Sequence, residues 1–220
     1  MEYLSPLAEK LVAAKDVERA TATKKYLKDQ FECLGLTSKV RREILKDFLK
    51  KYGVPPIHQM EGISNYMWNL PEREFQHTAI DILDKVKKHL RKNDIEWIEK
   101  LIVQKSWWDT VDALAAWIVG SYFRLYPQAV IPVTEKWMNS GNMWLQRTSL
   151  IFQLKYKAGT DKELLSDYIL RLAHRKEFFI RKAIGWALRE YSKTNKQWVR
   201  SFIEENELSP LSYREASKYV

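Results

Sequence analysis

The 220-residue chain has few of the residues that interrupt helices or build sheets. It contains only seven glycines and seven prolines, and runs that alternate β-branched with polar residues are scarce. Sheet proteins are rich in both β-branched residues and turn residues, so their scarcity favours an all-α protein. A glycine-rich phosphate loop is also missing, so nothing in the sequence supports nucleotide hydrolysis.

Cysteine, histidine and long apolar runs are equally limited. Cys33 is the only cysteine, which rules out an intrachain disulfide and predicts a reducing, cytoplasmic location. The four histidines lie far apart without metal-ligand spacing, so we expect no metal and no cofactor. The longest apolar stretch, Ala113–Val119, falls far short of the roughly 20 residues that span a bilayer. The N-terminus shows no secretory pattern. We expect a monomer without a membrane partner.

Basic and aromatic residues are what the chain has in excess. Its 37 Lys+Arg against 28 Asp+Glu give a net charge of +9. Such an excess suggests a polyanionic partner, because bound phosphates release their counterions. Nine tryptophans and eleven tyrosines are more rings with a polar edge than core filling requires.

Apolar spacing and turn residues predict a succession of helices. Leu4–Leu34 reads as two helices with a break or cap at Asp16 and with Gly35 as the C′ residue, and Thr37 or Ser38 caps the next helix, Lys39–Tyr52. Further helices are predicted over about 57–68, 72–90, 94–104, 107–124, 127–138, 143–157, 161–173, 177–192, 195–205 and 210–218.

An aromatic residue opens every second predicted helix, at intervals of 32 to 37 residues: Phe75, Trp107, Trp144 and Phe178. This interval is typical of stacked helix pairs of the HEAT or TPR kind, and no TPR signature accompanies it. The spacing predicts one domain over 1–220, a HEAT-like helical-repeat solenoid (an α-α superhelix) with a concave face that serves for extended binding. An irregular helical bundle would give a similar spacing.

The stretch Ser106–Asp112 differs most from generic helical scaffold. The residues Trp107, Val111, Leu114, Ile118 and Tyr122 fall on one helical stripe and should face a core. Trp108 and Asp112 lie one turn apart beside that stripe. They are either peripheral packing and a solvated acid, or an anionic site with an aromatic wall for a cationic ligand.

Later helices interleave cations with aromatic residues on their presumed inner faces. Arg147 and Lys155 share one face of an otherwise apolar helix. The next face of this kind carries Lys182, Trp186, Arg189 and Lys193. Such a pattern suits nucleic acid, with cations for phosphates and rings for sugars and bases. Any one of these cations could instead belong to a solvated edge.

Arg41 and Arg42 lie in the first turn of the predicted helix that follows Thr37 and Ser38. A helix N-terminus with a hydroxyl cap and two arginines can hold a phosphate. A pair of solvated arginines is an equally good interpretation.

A purine alkylated at N3 or N7 is a cationic ligand that these residues could hold. Cation–π contact with Trp108, Trp186 and Tyr26 would contribute about 0.5–2 kcal/mol. When the glycosidic bond breaks, positive charge moves to C1′, and Asp112 could stabilise that charge or activate a water molecule. Arg147 could hold the flanking phosphate, or orient Asp112 and favour its ionised form. The charged base is a good leaving group, so no general acid is required.

Several long motifs resemble the AlkD-like family of DNA alkylation-repair glycosylases over about residues 26–216. The resemblance rests on the segments 106–112 (SWWDTVD), 144–147 (WLQR) and 176–186 (KEFFIRKAIGW), with further matches at 70–76, 152–157 and 188–191. It implies a HEAT-like all-α solenoid that wraps duplex DNA and excises N3- and N7-alkylpurines without a metal or cofactor.

The resemblance also implies roles for individual residues. Asp112 would be the catalytic carboxylate, Trp108 and Trp186 the cleft walls, and Arg147 the partner of Asp112 and of a phosphate. Tyr26 would be a third cleft aromatic. Lys155 and Arg189 match positions that contact the DNA backbone. Where the family pattern leads us to expect a proline after the cap, this chain has Ser38-Lys39-Val40, so contact of Thr37 or Ser38 with phosphate is open.

Three functions therefore remain in view. The first is a monofunctional glycosylase that hydrolyses the N-glycosidic bond of alkylated purines in double-stranded DNA. The second is a noncatalytic HEAT-repeat binder of damaged or branched DNA, since some relatives lack the catalytic acid. The third is a HEAT-type protein scaffold, which would show no salt-dependent DNA binding.

Overall fold

The computed structural model describes residues 2–220, and over that range it is built of helices without a β-strand. The all-α, helical-repeat class predicted from the sequence is confirmed. The α-helices are α1 Ser5–Ala13, α2 Val17–Tyr26, α3 Ser38–Tyr52, α4 Met60–Asn69, α5 Arg73–Val86, α6 Asp94–Val103, α7 Trp108–Ala113, α8 Gly120–Leu125, α9 Val130–Asn139, α10 Met143–Ile151, α11 Lys162–Leu172, α12 Phe178–Ser192, α13 Lys196–Glu205 and α14 Pro210–Ala216. No helix in the described range is both long and apolar enough to cross a bilayer.

The helices form two compact units, one that ends at Lys105 and one over Ser106–Val220. Whether they act as the single domain expected from the sequence stays a prediction. In the first unit, Asp16 caps α2 by accepting a hydrogen bond from the Arg19 amide at 2.9 Å, as predicted. Thr37 caps α3 through the Val40 amide at 3.2 Å, so of the two candidate caps Thr37 makes the bond and Ser38 is the first residue of the helix.

The second helix is shorter than predicted. It ends at Tyr26, whereas the sequence predicted a helix as far as Leu34. Beyond it, Lys28 and Asp29 have positive φ, which a helix cannot continue. The buried carboxylate of Glu74 accepts hydrogen bonds from the amides of residues 34 to 36 at 2.8 to 3.2 Å. Gly35 is therefore not a helix C′ residue. It lies in this non-helical loop with a φ of +82°.

The second unit contains the helices around Asp112. Its core joins α10, α11, α12 and α13 through aliphatic residues such as Leu150, Ile169, Ile184 and Ile203. Helix α10 ends at Ile151, six residues before the predicted end. There Gln153 bonds both to the amide of Asp161, at 2.7 Å, and to its carbonyl, at 3.3 Å. These bonds turn the chain away from the helix axis although the apolar pattern continues.

The predicted helix 107–124 is continuous but changes its pitch. A π-helical segment, Leu114–Val119, joins α7 to α8. The predicted core stripe on this helix is confirmed, since Val111, Leu114, Ile118 and Tyr122 are at most 1% exposed. Trp107 lies just outside the helix in an extended conformation.

The three members of the aromatic repeat in this unit all lie at the start of their helices, as predicted. The rings of Trp107 and Trp144 lie 6.0 Å apart, and both contact Phe179, at 5.1 and 5.0 Å. Phe178, the predicted member, is exposed. The two adjacent phenylalanines are alike in the sequence, and only the rotation of α12 decides which of them packs inward.

Gly120 allows α8 to approach the chain that follows α10. An added Cβ would lie 2.5 Å from the Phe152 carbonyl oxygen, whereas one at Gly159 would have no neighbour within 4 Å. We expect Gly120→Ala to lower the free energy of unfolding by about 1–3 kcal/mol through overpacking, although helix propensity alone favours alanine by about 1 kcal/mol. Urea unfolding of Gly120→Ala, with Gly159→Ala as the control, measures this difference in the free energy of unfolding. Equal stability of the two variants would contradict the close approach.

Candidate active site

Asp112 lies on α7, at the edge of the buried stripe rather than on it. Val111 beside it is fully buried, and its neighbours on the helix direct the carboxylate sideways to a position where the side chain is 15% exposed. Trp108, one turn earlier, is half-buried. The interpretation of Asp112 as a fully solvated acid is therefore wrong.

Arg147 on α10 binds both oxygens of the Asp112 carboxylate. Its Nε donates to Oδ1 at 2.7 Å and its Nη2 donates to Oδ2 at 2.8 Å. Its Nη1 donates to the carbonyl oxygen of Phe179 on α12. The Arg147 side chain is only 4% exposed. All three of its terminal nitrogens are thus used to join α7, α10 and α12 at the carboxylate.

The electrostatics of Asp112 depend on burial as well as on Arg147. Burial raises the pKa of the Asp112 carboxyl above its ordinary value of 3.8, and the hydrogen bonds and charge of Arg147 oppose that rise without cancelling it. Arg147 alone would favour the ionised form, as expected from the sequence. The net direction is upward because removing a carboxylate from water costs free energy.

The aromatic residues around the Asp112–Arg147 pair form two groups. One group packs beside Arg147, and the other consists of the predicted cleft walls Trp108 and Trp186. The cluster of Trp107, Trp144 and Phe179 packs beside Arg147, whose Cζ lies 5.9 Å from the Phe179 ring centroid. Trp186 lies two turns after Phe179 on α12 and packs, half-buried, against the core. The Phe179 carbonyl was not predicted as an acceptor for Arg147, because backbone acceptors leave no signal in side-chain patterns.

The basic stripe predicted on α12 faces a neighbouring helix. Glu215 on α14 lies 3.1 Å from Lys182 Nζ and 2.5 Å from Arg189 Nη1. Between these two cations, Gly185 packs directly against Glu215. Lys193 pairs with Glu190 at 2.6 Å. Each of these three cations therefore contacts an acid in this unit, and their contact with DNA stays a prediction.

Glu215 makes the stability of the second unit depend on pH in the acid range. Its hydrogen bonds to Lys218 and Lys182 lower its pKa from 4.5 to about 2. A carboxyl whose pKa is lower in the folded state contributes stability above its unfolded pKa, and that contribution is lost as the pH falls towards the folded value. We expect the free energy of unfolding to fall between about pH 4.5 and pH 2, and to fall less steeply in Glu215→Gln.

Urea unfolding at several pH values measures this dependence, with the exposed Glu163→Gln as the control. Curves for the wild-type protein and Glu215→Gln that run parallel from pH 7 to pH 2.5 would contradict the assignment to Glu215.

Lys155 differs from the other predicted DNA contacts in this unit. It follows α10, is exposed, and holds its Nζ 5.0 Å from the ring centroid of Trp117. Its contact with DNA stays a prediction.

The remaining predicted DNA contacts lie in the first unit. Tyr26 is the last residue of α2 and is 67% exposed, and Ser38 is also exposed. Arg41 is 5% exposed and donates to Asp81 at 2.6 Å. The description of Arg41 as a solvated arginine is wrong, and its guanidinium is directed to Asp81 on α5. Arg42 is the more exposed of the two and also contacts Asp81, at 3.3 Å.

Metal ligation has no candidate in the described range. Over residues 2–220, no three histidine, cysteine, aspartate or glutamate side chains come together in a way that could hold an ion.

Comparisons with known proteins agree on one family. A family model described as DNA alkylation repair enzyme matches residues 7–220. A solved structure of a protein from Enterococcus faecalis, described as a predicted DNA alkylation repair enzyme, superposes with a TM-score of 0.87 at 34% sequence identity. The alignment covers 94% of this chain and 96% of that one. None of the functionally curated proteins matches this chain.

Proposed function

Since the chain belongs to the family of DNA alkylation repair enzymes, we propose that it is a monofunctional glycosylase. Its substrate is double-stranded DNA that contains positively charged N3- or N7-alkylated purines, and it acts as a monomer without a metal or cofactor. The observation that carries the proposal is the partly buried Asp112 carboxylate, held at both oxygens by Arg147. Trp108 is one turn away on the same helix.

The chemistry requires one carboxylate and no general acid. As the N-glycosidic bond breaks, its electron pair moves to the purine and neutralises the base, and C1′ becomes an oxocarbenium-like centre. Each carboxylate oxygen of Asp112 accepts one bond from Arg147 and keeps further acceptor capacity. Asp112 can therefore stabilise the positive charge at C1′, or accept the proton of the water that attacks it. The products are a neutral free base and an abasic site.

Arg147 acts as a positioning residue in this mechanism. Its guanidinium is 4% exposed and already bound to Asp112 and Phe179, which leaves it poorly placed to bind a phosphate. Because a bidentate pair fixes both distance and plane, Arg147 sets the direction in which Asp112 faces the sugar. Of the two roles that the sequence suggested for Arg147, we therefore propose the one as partner of Asp112 and not the one as a phosphate contact.

A duplex with a single N7-methylguanine tests the function. We expect the wild-type protein to release free N7-methylguanine in the presence of a chelator and to leave an abasic site in an unbroken strand. The same duplex with guanine should release nothing. Binding of the damaged duplex without base release would indicate a noncatalytic binder and contradict the proposal. Absence of salt-dependent DNA binding would indicate a protein scaffold.

The pH dependence of base release tests the state of Asp112. The ionised carboxylate is the active form, so the rate should fall as the pH decreases through a pKa above 3.8. In Arg147→Lys, one donor replaces the bidentate fork, and we expect the acid limb to move to higher pH. Single-turnover rates between pH 4 and pH 8 measure both profiles. If the acid limb has the same position in the variant as in the wild-type protein, Arg147 does not influence the ionisation of Asp112.

A further inference from the structure

An exposed aromatic and cationic surface lies on the helix that carries Asp112. We call the set Trp117, Arg124, Lys155 and Tyr156 the Trp117 platform. Trp117 is 46% exposed, whereas the other residues of its π-helical segment are buried. A single exposed hydrophobic residue is common on protein surfaces, so the inference depends on the cations that lie beside this ring.

Both cations of the platform hold a face of an aromatic ring. Lys155 Nζ lies 5.0 Å from the Trp117 ring centroid, and the guanidinium carbon of Arg124 lies 4.4 Å from that of Tyr156. Arg124 also donates to the Lys155 carbonyl at 2.8 Å. These contacts place two positive charges beside an exposed indole.

The charges of the platform are not offset by acids. Among the described residues, neither Arg124 nor Lys155 forms an ion pair with a carboxylate, whereas the α12 cations Lys182, Arg189 and Lys193 all do. An exposed cation without an acid partner can bind a phosphate without first breaking an ion pair. This difference selects the platform over α12 as a surface for a polyanion.

The platform is held rigidly against its own helix. Tyr156 donates its hydroxyl to the Gly120 carbonyl oxygen at 2.6 Å. Gly120 lies so close to Phe152 that no Cβ fits between them. These contacts hold Tyr156 and the backbone around Gly120 in place, so less freedom is lost there on binding.

Trp117 lies close to Asp112 along the same continuous helix. It comes five positions later, which is about 7 Å along the helix axis. This separation is smaller than the width of the DNA major groove, about 12 Å. In an α-helix the two side chains would be about 140° apart around the axis, and the wider turns of the π segment reduce that angle.

We propose that the Trp117 platform is a second DNA-contacting surface, on which Lys155 and Arg124 bind phosphates near the lesion nucleotide and the indole packs against a sugar or base. The cations supply charge and the ring supplies a flat apolar face, a combination that suits nucleic acid. Contact of Lys155 with DNA was expected from the sequence, and the roles of Trp117 and Arg124 are new. The proposal rests on the proposed function only for its position beside the lesion.

Binding of the full-length protein to an undamaged duplex at several salt concentrations tests the platform without requiring catalysis. We expect Trp117→Ala, Lys155→Gln and Arg124→Gln each to weaken binding about three- to tenfold. Each lost phosphate contact should reduce the slope of log K against log salt by about 0.9. Trp117→Phe should restore most of the affinity. Lys162→Gln is the control and should bind as the wild-type protein does, since Lys162 is a partly exposed lysine that pairs with Glu163 at 3.6 Å.

Melting temperatures separate a lost contact from a lost fold, since Arg124 also holds the Lys155 carbonyl. Unchanged affinity in both Trp117→Ala and Lys155→Gln, or a wild-type protein that does not bind DNA, would overturn the proposal. An effect of Lys155→Gln without one of Trp117→Ala would overturn the role of the indole. Base release by a wild-type protein whose platform variants bind normally would refute the platform alone. Weaker binding by these variants without any base release would refute the proposed glycosylase alone.

Discussion

Arg147→Ala is expected to lower the free energy of unfolding by about 3–5 kcal/mol, the cost typical of removing one partner from a buried ion pair. The arginine is 4% exposed and its removal leaves the Asp112 carboxylate, 15% exposed, without a counter-charge. It also removes the donor to the Phe179 carbonyl that links α10 to α12. For a chain of this length the melting temperature should fall by on the order of 10 °C.

Arg171→Ala is the matched control, because Arg171 binds both oxygens of Glu135 at 2.6 and 3.1 Å in the same unit. That pair is about one-third exposed on each side, and exposed pairs contribute about 0–1 kcal/mol. Calorimetry or urea unfolding compares the two variants. A loss for Arg147→Ala as small as that for Arg171→Ala would show that the Asp112–Arg147 pair does not carry the stability assigned to it.

Asp112→Asn is expected to reduce the rate of base release at least tenfold, equivalent to about 1.4 kcal/mol of transition-state stabilisation. The amide keeps the shape of the carboxylate but has no negative charge to place against C1′ and cannot accept a proton from water. Arg147 keeps one acceptor and loses its counter-charge, so a lower melting temperature accompanies the kinetic effect. Affinity for the damaged duplex should largely remain, since the other DNA contacts are unchanged.

Asp109→Asn is the matched control for charge, because Asp109 lies on the same helix and its negative charge raises the pKa of Asp112. Base release by Asp109→Asn should stay close to the wild-type rate at neutral pH. Both variants must be compared below their melting temperatures. A similar loss in both would show that the overall negative charge of α7, rather than the Asp112 carboxylate, affects the rate.

Local sequence patterns predicted the helices well because helical periodicity is a local property. The stripe from Val111 to Tyr122 is buried as expected, and Asp16 and Thr37 cap their helices. Helix ends were less predictable. Helix α10 stops at Ile151 because Gln153 bonds to the backbone of Asp161, a contact that the apolar pattern around Leu154 does not reveal.

The candidate site was predictable in its residues and less so in its contacts. The motifs around Asp112 and Arg147 identified both residues, and the structure brings them together across 35 positions of sequence. By contrast, the acids that bind Arg41 and Arg189, which are Asp81 and Glu215, were not predicted. Whether a cation is free depends on acids that are distant in the sequence, and helical spacing carries no information about them.

The rate of base release under single-turnover conditions tests the central role of Asp112 most directly. Excess protein is mixed with a duplex that contains one N7-methylguanine, and free base is followed for the wild-type protein and for Asp112→Asn. With the duplex fully bound, differences in affinity no longer contribute. The account predicts release by the wild-type protein and a rate at least tenfold lower for the variant. Equal rates for the two proteins would contradict it.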